Sequence, residues 1–92
     1  MAAFHGYEDL TVAGTSVGFT AATRGNATVA SVLVEVAPVR FRLDGTAPTA
    51  SVGDTLEVGD RLTLESADEV SRVRFIRREG TSATLRCSFG SN

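Results

Sequence analysis

Apolar residues recur at every second position along most of this chain, and a period of two is the mark of strands with one buried face. From Thr28 to Val36 the stretch "TVASVLVEV" places Val32, Val34 and Val36 on one side, with Leu33 and Glu35 on the other. Proline lacks the ladder donor, so Ala37-Pro38 marks a strand start or a bulge. Beyond it, "VRFRL" sends Val39, Phe41 and Leu43 inward and Arg40 and Arg42 outward. The same logic predicts strands at "RLTLE" (Leu62 and Leu64 inward) and at "VSRVRFIRR" (Val73 and Phe75 against Arg72, Arg74 and Ile76). The last, "ATLRCSF", buries Leu85, Cys87 and Phe89 and exposes Thr84, Arg86 and Ser88, with Glu79 to Ser82 as the preceding turn.

Weaker alternation at "EDLTV" and "VGFTAAT" adds two more candidates, separated by Gly14-Thr15-Ser16 and closed by Gly25-Asn26. Ala67 to Val70 is expected to be a loop, although Ser66 could cap a single helical turn there. Seven or eight short strands with Gly, Asp and Asn turns between them predict an all-β chain. The expected form is a single small antiparallel β-sandwich or barrel, immunoglobulin-like or jelly-roll-like. It spans residues 1–92, with 1–6 as a flexible N-terminal arm. The corner between Leu43 and Arg61 reads as a strand-to-strand connection whose backbone geometry is fixed by Asp44, Gly45, Pro48, Gly53, Gly59 and Asp60.

A 92-residue chain buries only roughly 60–65% of the surface its unfolded form exposes, so its core is thin and support from an assembly is expected. The net charge of −2 gives no global attraction to nucleic acid or an anionic membrane. No stretch approaches a membrane span, "MAAFHGYEDL" lacks the features of a secretion signal, and one Cys permits no internal disulfide. These features predict a soluble chain made in a cytoplasm, so the sequon match at Asn26-Ala27-Thr28 is read as chance.

Candidate chemistry is sparse. His5 has no spaced partner with which to hold a metal, and Cys87 stands at apolar parity with no base to activate it. Asp44, Asp54, Glu57, Asp60, Asp68 and Glu69 sit in or beside turns, where turn chemistry explains them without calcium. The chain is therefore read as non-enzymatic, without metal or cofactor. All nine basic residues are Arg. Arg40 and Arg42 share one strand face and Arg72, Arg74 and Arg78 another, giving a basic band that suits either a solvated sheet face or a protein contact.

The run "VRFRLDGTAPTASVGDTLEVGDRLTLES" followed by "VRFIRREGTSATLRCSF" resembles a group of small structural proteins of tailed bacteriophages and prophages, encoded among head and neck components. The shared features are the aromatic and arginine strand, Asp44-Gly45-Thr46, Pro48-Thr49, Gly53, Leu56, Gly59-Asp60, Leu64, and the Arg-Phe-Ile-Arg and Ala-Thr-Leu-Arg strands. The likeness covers about residues 28–90. It implies a virion protein made in the bacterial host, either a capsid decoration (cement) protein or a head-to-tail connector or neck component. The partner it implies is the major capsid protein or a neighbouring virion protein, met as a homo-oligomer, with no nucleic acid and no membrane. The Asp-Gly-Thr-x-Pro-Thr turn also resembles one in immunoglobulin-like accessory domains of carbohydrate-active enzymes, such as the C-terminal domain of chitobiases. A small carbohydrate-binding or adhesion module is therefore the alternative, with Tyr7 as its aromatic residue.

Overall fold

The computed structural model describes residues 3–91. Seven strands and two short helices run β1 (Ala3–Val12), α1 (Ala21–Arg24), β2 (Val29–Glu35), β3 (Val39–Arg42), β4 (Asp54–Leu56), β5 (Arg61–Leu64), α2 (Ala67–Arg72), β6 (Arg74–Arg77) and β7 (Ala83–Ser91). They form two antiparallel sheets, ordered β1-β7-β2-β5 and β4-β3-β6, packed as an all-β sandwich. An isolated bridge joins Val17 to Phe75 beside β6, closed by two backbone hydrogen bonds of 2.8 Å. Counted as a rudimentary strand, Val17 makes eight chain positions, and the sheets take them in the orders 1-8-3-6 and 2-7-4-5. Of the two architectures expected, this wiring is that of the jelly roll.

The core lies where the inner faces meet. β7 buries Ala83, Leu85, Cys87 and Phe89, and β2 buries Ala30, Val32 and Val34. From the second sheet come Val39, Phe41, Leu56 and Phe75. Phe19, on the connection between the sheets, stands edge-on to Phe89 at 4.8 Å and tilted against Phe75 at 5.6 Å, so one ring joins the two layers. No buried residue among those described is polar or charged, and no buried side-chain nitrogen or oxygen among them lacks a hydrogen-bond partner.

Five local expectations are corrected. Ala3 to Gly6 belong to β1, paired with β7 across a bulge at His5; the rest of the expected arm, Met1 and Ala2, lies outside the described residues. "VGFTAAT" contributes only the Val17 bridge before the chain turns into α1. Ala67–Arg72 is a helix: the Glu69 N–H donates to Ser66 Oγ at 3.1 Å, the spacing of a capping box, and Val70 anchors the turn in the core. "VSRVRFIRR" is therefore strand only from Arg74, and Arg72 leaves the predicted strand face. Finally, Val36 points out to solvent at 66% exposure. Its φ of +76° and the Ala37 N–H to Glu35 O bond of 2.9 Å make a three-residue γ-turn of the uncommon positive-φ kind, which ends the alternation of β2.

Candidate protein-contact surface

Antiparallel register sets which side chains meet on the outer face of the second sheet. Arg42 stands directly opposite Arg74, and Arg40 lies between Thr55 on β4 and Ile76 on β6. Arg78 follows β6 in the same parity and donates its backbone N–H to Pro38 O at 3.2 Å. Four of the five arginines expected at a contact therefore share one face, around half-buried Ile76. Arg72 is elsewhere, on α2, paired with Asp68 one helical turn away at 3.0 Å.

These guanidiniums differ in what they are free to do. Arg40 donates to the carbonyls of Ala50 and Gly53, both at 2.9 Å, and so ties the 43–53 loop to the sheet. Arg42 makes a two-pronged pair with Asp44, at 2.5 and 3.2 Å. Arg42 and the Thr46 N–H together hold the Asp44 carboxyl below its ordinary range. Arg78 forms a bidentate pair with Glu57 and approaches Glu79 at 3.6 Å; the Glu57 hydrogen bond raises its own pKa. Arg74 is exposed and has no ion-pair partner among the described residues. Like charges directly opposed across strands repel, and Asp44 relieves only Arg42. The face thus presents an unmatched positive charge where a partner's carboxylate would be most welcome.

The turn residues shape the borders of this face. Asp44 Oδ1 accepts from Thr46 N at 3.1 Å, Gly45 takes φ +83°, and Pro48 is buried beneath the loop. Gly53 has φ +135°, and a Cβ there would lie 3.0 Å from Phe41 O and 3.2 Å from Pro48. Arg42, Leu43, Asp44, Val52, Gly53 and Asp54 line an open hollow at this end. At the far end, the Asp60 carboxylate accepts from Glu57 N at 2.8 Å, and Gly59 takes φ +92°. Gly59 N–H bonds to Val34 O at 2.8 Å, bringing the β4–β5 turn beside β2. Exposed Val58 in that turn and Val36 just beyond β2 make this end apolar at its tip.

The outer face of the first sheet has a separate network. Arg86 pairs with Asp9 at 2.8 Å and with Glu35 at 2.7 Å, and the Tyr7 hydroxyl donates to Asp9 at 2.5 Å. Tyr7 and Arg86 hold the Asp9 carboxyl low, while the bond to Asp9 raises the Tyr7 pKa. Strand parity made Arg86 readable as outward-facing, but its partners come from strands 51 and 77 residues away and have no local signature. His5 reaches only Ser91 Oγ, at 3.4 Å. Cys87 is fully buried, and desolvation pushes its thiol up to about 12, which leaves it unreactive at neutral pH. No group of three or more His, Cys, Asp or Glu able to hold a metal occurs among the described residues.

No protein-family model matches the chain, and neither curated proteins nor solved structures provide a match.

Proposed function

We propose that this chain is a non-enzymatic structural protein of a tailed-bacteriophage virion, a capsid decoration protein that binds the major capsid protein or its neighbour. The observation that carries the contact is the apposition of Arg42 and Arg74 on a face with four guanidiniums, of which Arg40 and Arg74 have no carboxylate partner among the described residues. Support for the virion setting comes from the resemblance over residues 28–90 and from a fold that recurs in viral capsid domains. Pairing with carboxylates on a capsid surface would relieve the Arg42–Arg74 repulsion only in the bound state, so binding and relief are coupled. Ile76 supplies apolar area at the centre of the face. Each copy binds modestly, and many copies on a repeating shell add their contributions, stabilising the shell by mass action and multivalency.

The test is co-sedimentation of the purified protein with heads stripped of it, at low and high salt. Wild type should rebind and raise the temperature of head disruption. Arg74→Glu should lose most of this binding, and rising salt should weaken what remains. Equal binding by wild type and Arg74→Glu, or no rebinding by wild type, would refute the proposal.

A further inference from the structure

We infer that the outer face of the first sheet, opposite the arginine face, is a binding platform for a neutral carbohydrate. Two exposed aromatic residues carry the inference. β1 pairs Phe4 with Gly90 and Tyr7 with Ser88, so both residues belong to the outer face, separated by two register steps, about 7 Å along the strand. Phe4 is 53% and Tyr7 55% exposed, which no packing requirement explains. The Tyr7 ring is also held in place, because its hydroxyl is anchored on Asp9 two residues along the same face. A fixed ring loses little freedom when a ligand stacks on it.

Beside the rings stand the polar groups that a sugar needs. Asp9, Arg86 and Glu35 are fixed to one another by charge-assisted bonds, yet all three remain solvent-accessible, and Glu35 uses only Oε1 in the bonds described. Ser88 and Ser31 lie in the next two strands, in register with Tyr7, and add hydroxyls. A saccharide matches this set because it offers apolar C–H faces to the rings and hydroxyl donors to carboxylate acceptors. Asp9 and Glu35 stand against Arg86 and Arg61, the latter donating to Ser31 Oγ at 2.8 Å, so the charges on this face balance and give no net attraction for an anionic ligand. A protein partner fits less well. Unlike Arg74, each charge of this network already has an opposite charge beside it, so a protein partner would bury three ionised side chains without completing an unmatched pair.

The inference does not depend on the capsid-docking proposal, since the two faces are on opposite sides of the sandwich. The purified full chain is applied to an array of neutral and sialylated glycans, and the strongest neutral binder is titrated against variants. Tyr7→Ala and Phe4→Ala should each weaken that binding by about tenfold or more, with melting temperatures near wild type. Glu35→Gln should weaken it while conserving shape, and Arg74→Glu on the other face should leave it unchanged. The inference is overturned if the array retains no glycan, if only sialylated glycans bind, or if Tyr7→Ala binds like wild type. It is equally overturned if Phe4 and Tyr7 variants change the sedimentation state without any glycan binding, since a second copy would then occupy the face.

Discussion

Replacing Val36 with glycine should make this protein more stable, although the change removes a side chain. Val36 has φ +76° and sits at the centre of a γ-turn closed by the 2.9 Å bond from Ala37 N to Glu35 O. A β-branched residue held in that region costs about 1–3 kcal/mol, since its Cβ crowds the backbone. Glycine removes the crowding and brings back about 0.5–1 kcal/mol of extra chain entropy in the unfolded state. Little burial is lost, because the residue is 66% exposed; the covered third of the side chain accounts for roughly 0.5–1 kcal/mol. Taking the middle of each range, the balance for Val36→Gly is a gain of about 0.5 kcal/mol, or about 2–4 °C in melting temperature for a domain of this size. Thermal and urea unfolding followed by circular dichroism would measure it, with Val36→Ala as the control. Alanine keeps the Cβ and therefore the strain, so it should gain nothing. If Val36→Gly melts below wild type, or if Val36→Ala matches the gain, the strained-turn account is wrong.

Other consequences concern the edge strand, the thiol and the surface ion pairs. A Cβ added at Gly90 would fall 2.2 Å from Ala3 O and 2.9 Å from Phe4 Cα, so Gly90→Ala should detach the first turns of β1. Hydrogen exchange should then show faster amide exchange at the N-terminal end of β1, and unchanged protection there would contradict the packing. Folded protein should resist an aromatic disulfide reagent at pH 8, and one thiol should react in concentrated urea. Because folding raises the Cys87 pKa to about 12, the unfolded state loses this proton first as pH rises. Stability should therefore fall with pH from about 9 up to about 12, and Cys87→Ala should lack that component of the decline. Asp9 and Asp44 have lowered folded pKa values, so their stabilising pairs are present above the ordinary carboxylate range and lost as pH falls through the folded values. Asp9→Asn with Asp44→Asn should flatten the acid limb of a pH–stability curve; an unchanged limb would show that these exposed pairs contribute nothing.

Most of the sandwich was legible because its strands alternate cleanly. Leu85, Cys87 and Phe89 could be assigned to the core from β7 alone, as could Val39 and Phe41 from β3. The failures occur where the backbone departs from a regular strand. Parity assigned Val36 inward because a β-branched residue ordinarily avoids positive φ and so gives no sign of the γ-turn, closed by the Ala37 N–H to Glu35 O bond, that turns it outward. The bulge at His5 shifts the register of β1, so the outward placement of Phe4 could not be counted from Tyr7. At α2 a spacing of three between Val70 and Val73 competed with alternation, and the Ser66 to Glu69 capping pattern was the more informative signal. On the arginine face, parity grouped Arg40 with Arg42 and Arg74 with Arg78. Only strand pairing could show that Arg42 meets Arg74 and that Asp44 neutralises just one of them.

Cryo-electron microscopy of phage particles purified from the source of this chain tests the central proposal most directly. The account predicts a jelly roll bound outside the capsid shell, with Arg40, Arg42 and Arg74 against carboxylates of an adjoining subunit, and with Phe4 and Tyr7 turned toward solvent. Purified particles without the chain, or a bound chain whose arginine face points away from every neighbour, would contradict it.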